Sequence, residues 1–569
     1  MALAFPALTR IATHTPGDYG DAYFYQWLLR WNVHALLSSP LDVFDTNIFW
    51  PTQDTLVYSD TLLPVAPVAG ALDAVLGQVV TFNVLYLGTW VGSLAAAYLL
   101  ARRLIGDATA SVLAAMIFTF SAVRLQHYVH FQLLFAGLIP LAVWLLLRFL
   151  DQRAWRDALG LGVVVGASVL ITAYSALVIA AALATMVGGW LVLVRFRPGP
   201  RSLSGLLLAA AVAAAIAGPA VWKYRAYQDV LRRDYSEGIA AKPGDLLAPA
   251  LGSYLYGPLD RWATRTHRDG EHRLFPGLAA VALGGVGAVS LWRRRRDAQA
   301  GRAEREPGAA APDQDGLRRR ELVLVLLGSA VLFVLAFGKY QRVAGLRIPL
   351  PFAVLTELGV PGLDSVRALG RFMVFPVLGL GLLAGYGFVR LTRDRPVRRG
   401  VAGVMVGAFL ALEYATPINL ARRLDEPRFT AVNAALRDLP NGPVVELPMA
   451  DGRSPLSPYV EPPRMVWSTI DWHPRVNGSS AYAPAGYPTT VALLNSLGDN
   501  AATHEAAIDR LGEFRVRYVV VRLAPLSSAL NAPGITHYDE DRAGQVVEAL
   551  RPLATAVTRH GDALLVELG

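Results

Sequence analysis

Asp18 and Asp21 sit in the stretch Pro16-Gly17-Asp18-Tyr19-Gly20-Asp21, where glycines let the backbone bend sharply. A carboxylate held in such a bend is placed to act as a general base toward an acceptor hydroxyl. The plainer role for either acid is to cap the helix that follows. That helix carries Tyr23, Trp27 and Trp31 four apart on one face, a pattern suited to a membrane–water boundary.

Other groups of comparable chemistry lie far away in the chain. Arg124-Leu125-Gln126-His127-Tyr128-Val129-His130-Phe131-Gln132 sets His127 and His130 three apart, with Gln132 close behind. Such imidazoles suit a phosphate, a polarised leaving group or a metal. Two histidines without a nearby acid fall short of a metal ligand set, so no cofactor is expected and a divalent metal is left open. The competing role is interfacial hydrogen bonding. Cations gather in two long loops, Lys223 and Arg233 in 223–273, and Arg367 and Arg371, four apart, in 338–371. Guanidinium groups grip a phosphate through paired bonds; the alternative is ordinary contact with lipid headgroups. Finally, Asp471, His473 and Asn477 lie among tryptophans in 467–478, which suits a sugar or, equally, loop packing. No GxxxxGK[ST], HExxH or GxSxG pattern is present, so an ATP-driven pump and a zinc or serine hydrolase lack support.

The elements that must position these groups are set by composition. The 569 residues are 54% hydrophobic and 17% charged, against about 25% charged in an average soluble protein. The bilayer is therefore the expected solvent for much of the chain. Cysteine is absent, which excludes disulfides and thiolate sites. The net charge of +9 arises from arginines between apolar runs, so it reads as membrane topology and not as nucleic-acid binding. Apolar runs near 79–101, 108–123, 131–149, 157–173, 175–194, 203–222, 274–292, 321–337, 372–391 and 401–418 are each about one bilayer long. The hairpin near Tyr174-Ser175 is tight. Met1–Ala12 is apolar but short of the ~20 residues a span needs, and reads as the outer end of a first span whose beginning is missing, or as a short interfacial segment. Arginine-rich loops, including 293–296 and 318–320, mark a cytoplasmic side, with a cytoplasmic linker over 293–320 whose charged stretch 297–317 reads as disordered. Loop 13–77, loops 124–130, 223–273 and 338–371, and everything after 418 then lie outside.

From 419 onward the pattern changes. Val444–Leu447, Val516–Val521 and Ala563–Leu568 read as strands, and 428–438, 500–513 and 541–551 as helices. The expected architecture is a helical polytopic membrane domain over 1–418, with about 10–11 spans, followed by a soluble α/β domain over 419–569.

These motifs together resemble the GT-C class of polytopic membrane glycosyltransferases, and within it the YfhO-like bacterial membrane proteins. The likeness rests on 16–21 with the Trp27/Trp31 helix, Asn83, Arg124–Gln132, Gly362–Phe372, Val445–Pro448, His473–Gly478 and Arg517–Val521. The resemblance implies inverting transfer of a sugar from a polyprenyl-phosphate donor to a glycan, lipid or protein acceptor on the external face of the plasma membrane. It also implies that an acid in the first external loop serves the acceptor: Asp21 first, Asp18 second. Two other classes compete. A lipid or glycolipid transporter needs intramembrane charge, of which Glu413 is the main example. A non-catalytic envelope assembly factor would use its external domain for docking.

Overall fold

A computed structural model describes residues 9–193, 199–231, 239–266, 270–300, 314–343, 346–359, 363, 366–393 and 396–569. The first eight residues, Arg233, Gly362 and the linker centre 301–313 lie outside the described residues, and so do the expectations that fall on them. In chain order the helices of eight or more residues are α1 (Asp21–Ser38), α2 (Ala66–Leu76), α3 (Gln78–Ile105), α4 (Ala108–Phe120), α5 (Leu138–Gln152), α6 (Trp155–Ile171), α7 (Ala173–Leu193), α8 (Pro200–Ala226) and α9 (Gly257–Thr266). There follow α10 (Leu278–Ala300), α11 (Gln314–Ala336), α12 (Val374–Thr392), α13 (Pro396–Glu413), α14 (Pro427–Arg437), α15 (Glu461–Ser468), α16 (Tyr487–Asn495), α17 (Ala501–Glu513) and α18 (Glu540–Leu550). The strands are β1 (His14–Pro16), β2 (Tyr340–Val343), β3 (Leu346–Pro349), β4 (Leu420–Arg422), β5 (Val444–Leu447), β6 (Tyr518–Arg522), β7 (Ala554–His560) and β8 (Ala563–Leu568).

The chain forms two compact units, one built on Tyr86–Ile418, the other on Pro6–Leu85 with Asn419–Gly569. The boundary at 418 falls where the composition changes, while the loop 13–77 belongs to the same unit as the C-terminal segment.

In the first unit, helices are what apolar runs must form where water cannot satisfy the backbone. Six helical segments among the described residues are long and apolar enough to cross a membrane: Gln78–Ile105, Ala108–Leu125, Phe131–Gln152, Ala173–Val192, Pro200–Ala226 and Leu369–Thr392. The runs expected near 157–173, 274–292, 321–337 and 401–418 also form helices, α6, α10, α11 and α13, whose apolar parts are shorter or more charged. The tight hairpin is real: only Thr172 separates α6 from α7. Small residues let these helices meet closely. A Cβ on Gly387 of α12 would overlap the Leu283 carbonyl of α10.

The second unit is α/β. Its four strands run β5-β6-β8-β7, with β5 parallel to β6 and the other pairs antiparallel. The period-2 alternation divides two cores. Val445, Leu447, Val519 and Val521 pack with Leu494, Leu511 and Val546. Val444, Tyr518 and Val520 pack with Val432 and Leu436 of α14. A second, two-stranded sheet pairs β1 with β4, antiparallel.

Helix α1 departs from expectation. Tyr23, Trp27 and Trp31 share a face, but that face is buried in protein and not turned to a membrane. The Tyr23 hydroxyl donates to the Arg422 carbonyl at 2.6 Å, the Trp27 indole to Asn47 at 3.1 Å and the Trp31 indole to the Val43 carbonyl at 3.0 Å. Helical spacing tells which residues share a side, not what covers that side.

Candidate functional site

In the second unit, β1 ends at Pro16, and Gly17 turns the chain at φ 118°, a conformation glycine adopts without strain. Asp18 then accepts the Gly20 amide at 2.9 Å in an Asx-type turn, and α1 starts at Asp21. Gly20 is the capping residue, so neither acid is a side-chain cap in the strict sense. Asp21 occupies the first helical turn, where the helix dipole favours a carboxylate. Burial raises the Asp18 carboxyl above its usual range, against the pull of the Gly20 and Asp21 amides. Both carboxylates act on the Tyr459 phenol, and a Cβ on Gly20 would come within 3.4 Å of that ring.

The first unit brings three remote stretches together. The histidine turn at 126–130, a turn at Gly270–His272 and a turn at Leu369–Met373 pack in close approach: a Cβ on Gly270 would stand 3.5 Å from the Gln126 carbonyl, and one on Gly370 3.3 Å from the Glu271 carbonyl. At their meeting point Glu271 receives Arg371, whose Nε lies 3.0 and 3.2 Å from the two carboxylate oxygens. The Arg371 guanidinium lies 4.6 Å from the centre of the Tyr174 ring, and the Tyr174 hydroxyl accepts the Ala368 amide at 3.0 Å. His127 Nε2 stands 3.7 Å from Glu271, and the His127 and His130 rings meet edge to face at 5.5 Å.

Electrostatics follow from this packing. Burial lowers His127 to about 4 and His130 to about 3, with Arg371 opposing any further positive charge; Glu271 only partly offsets this. Both rings are therefore neutral at neutral pH. Burial alone would raise Glu271, but the positive groups around it prevail and hold it down at about 2. Arg367 is exposed, and its charge reaches His130. Residues 366–368 are not helical, so Arg367 and Arg371 are not a paired helical face as their spacing predicts; Arg371 is held by Glu271 while Arg367 is exposed.

Arg124 precedes the histidine turn, and its backbone carbonyl accepts the His127 amide at 3.0 Å. Its guanidinium lies 5.0 Å from the Trp90 ring and 5.3 Å from the Phe118 ring, and Nη2 donates to the Leu134 carbonyl at 2.9 Å. Among the described residues, Arg124 Nε and Nη1, His127 Nδ1 and Gln132 Oε1 are buried without a hydrogen-bond partner. Lys223 lies in the last turn of α8. No group of three or more metal-ligating side chains occurs among the described residues.

The proposed sugar-binding trio is differently employed. Asp471 accepts Asn433 at 2.8 Å and Arg475 at 2.5 Å. His473 bonds the Gly442 and Leu436 carbonyls at 2.9 and 3.0 Å. Asn477 bridges the Glu446 backbone, accepting its amide at 2.7 Å and donating to its carbonyl at 2.8 Å. All three side chains are committed inside the second unit, so they pack the domain and are not free for a sugar. Glu413 is likewise committed: it accepts the Leu278 amide and the Tyr256 hydroxyl, so it holds the start of α10. Gly277 makes room for it, since a Cβ there would stand 2.8 Å from Glu413 Oε2.

Asp18 and Asp21 belong to one unit and His127, His130, Arg367 and Arg371 to the other. The sequence reading missed Glu271 and Tyr174. The run Gly270-Glu271-His272-Arg273, polar and ionisable immediately before an apolar span, was the available signal.

Residues 26–415 match the family described as "Domain of unknown function (DUF6311)", and the chain belongs to that family. No curated protein matches it. Among solved structures it is similar to the oligosaccharyltransferase AglB from Archaeoglobus fulgidus in complex with an inhibitory peptide and a dolichol-phosphate, at 13% identity and TM-score 0.44, over 90% of this chain and 66% of that one. It is also similar to ArnT from Cupriavidus metallidurans bound to undecaprenyl phosphate, at 13% identity and TM-score 0.45, over 99% of this chain and 96% of that one. This chain thus spans 66% of the length of the archaeal enzyme.

Proposed function

We propose that this member of the DUF6311 family is a GT-C-type membrane glycosyltransferase, of the YfhO-like kind, that moves a sugar from a polyprenyl-phosphate donor to a cell-envelope acceptor on the external face. The supporting observation is the Arg371–Glu271 pair with two neutral imidazoles beside it and the exposed residue Arg367. Arg367 takes the donor phosphate through paired bonds. His127 and His130 offer neutral N–H donors, and Arg371, fixed in plane by Glu271, offsets charge as the phosphate departs. The acceptor oxygen attacks the anomeric carbon, the carbon–oxygen bond to phosphate breaks, and the phosphate leaves with the electron pair. The acceptor proton passes to a carboxylate, assigned to Asp21 with Asp18 as second choice. Lys223 and Arg233 add to the cationic field, and α6, α10, α11 and α13 complete the crossings.

The test is binding and transfer by the full-length protein in proteoliposomes. Undecaprenyl phosphate should bind in preference to the neutral polyprenol, and Arg367→Ala should erase that preference. Equal binding of phosphate and alcohol by the wild type would remove the basis of the reading. Phosphate-selective binding with no transfer of labelled sugar would leave the assembly-factor class in its place.

A further inference from the structure

Helix α2 has its polarity reversed for a helix outside a span. Its 11 residues extend about 16 Å, too little to cross a hydrocarbon core of about 30 Å. Its inner side is fixed within the second unit: Ala66 and Ala69 are buried, Gly70 packs on Val33, and Asp73 pairs with Arg30 at 3.4 Å. These contacts set α2 antiparallel to α1. The outward side carries Pro67, Val68, Ala71, Ala74, Val75 and Leu76, all exposed and all apolar. Val75 is 81% exposed and Val68 54%. At 100° per residue, 67, 68, 71, 74 and 75 fall on one stripe. A water-facing helix would carry charge there.

We infer that α2 is an in-plane anchor whose outward stripe rests in the acyl-chain boundary of the lipid bilayer. Continuity selects lipid over a protein partner. Gly77 alone, at φ 76°, separates α2 from α3, which is long and apolar enough to span. The stripe therefore ends two residues before the helix that is long and apolar enough to span. At the α1 end adjoining the start of α2, Leu37 is 84% exposed as well. No lysine or arginine lies on α2, so the attachment is apolar and indifferent to lipid charge. The inference stands apart from the transferase reading.

The native chain lacks cysteine, so a single Val75→Cys carrying an environment-sensitive fluorophore reports one position in the full-length protein. In phosphatidylcholine nanodiscs, nitroxide-labelled lipid should quench it several-fold more than iodide does, and high salt should not alter the ratio. Leu207→Cys in α8 and Asp438→Cys in the second unit supply the lipid and water references; both positions are exposed. Iodide quenching like that of Asp438→Cys would overturn the inference. So would protection from both quenchers, which would mean a protein covers the stripe.

Discussion

Two clusters of arginine and carboxylate, one in each unit, show how the same residue types serve different ends. In the second unit Glu446 on β5 meets Arg522 on β6 at 2.6 Å, with Arg464 and Arg475 each at 4.0 Å. Glu461 and Asp471 supply further negative charge, at 3.5 Å from Arg464 and 2.5 Å from Arg475. Three cations thus face three anions, all with side chains no more than 5% exposed. In the first unit a single carboxylate, Glu271, faces Arg371 and two imidazoles, with Arg367 exposed. The balanced set is sealed scaffold. The other set, among the described residues, has one carboxylate and an exposed arginine, and it is the one to which the proposed function assigns the donor phosphate.

That contrast is broken most severely at Glu446. Glu446→Gln should cost about 3–5 kcal/mol, because it leaves arginines buried without their counter-charge. Limited proteolysis of the full chain should show the second unit degraded, and an unchanged digestion pattern would mean the network is not holding the sheet. Asp21→Asn should lower sugar transfer by roughly 10²–10⁴-fold with the fold retained. Full activity would dismiss it as the base. Arg367→Ala should weaken undecaprenyl-phosphate binding roughly tenfold while leaving the thermal midpoint alone, since the residue is exposed. A loss of stability instead would place it on the scaffold side of the comparison.

Acidity sharpens the same distinction. His127 and His130 are held below their free value of 6.5, so the unfolded chain binds protons that the folded one refuses. Their contribution is present above pH 6.5 and is lost as pH falls through that value toward about 4. Glu271, lowered from 4.5 to about 2, adds its own loss only below pH 4.5. Thermal midpoints between pH 7 and 4.5 should therefore decline, and His127→Gln should flatten the decline. An identical slope in the variant would mean that the imidazole is not the titrating group. The smallest effect is expected at Asp18→Asn, about 0.5–2 kcal/mol or less, because the amide oxygen still accepts from Gly20. A larger shift in unfolding midpoint would make the charge itself structural.

Much of the fold is legible in residue patterns. β5, β6 and β8, the helices α14, α17 and α18, and the glycine bend before α1 all lie within a few residues of where periodicity predicts them. The site is less so. Spacing shows that Tyr23, Trp27 and Trp31 share a face, but Tyr23 is met by residues 422–424, and Trp27 and Trp31 by Asn47 and Val43, which no local pattern encodes. The same holds for Asp471, His473 and Asn477, whose polar and aromatic setting suits a sugar as well as it suits β5 and α14. Glu271 went unseen because a search for cations in 223–273 passes over the carboxylate that orients one of them. His127, His130 and Arg371 do come together, since each sits where a loop returns to a span.

The antiparallel pairing of β1 with β4 has a consequence for how the molecule is made. His14–Pro16 emerges from the ribosome early, and Leu420–Arg422 follows only after residues 17–419 have been translated. Through that interval Tyr23 lacks the Arg422 carbonyl and the Leu424 amide that its hydroxyl bonds. The second unit thus cannot close before both of its distant segments exist, and a chain cut short anywhere before β4 leaves β1 without its partner strand.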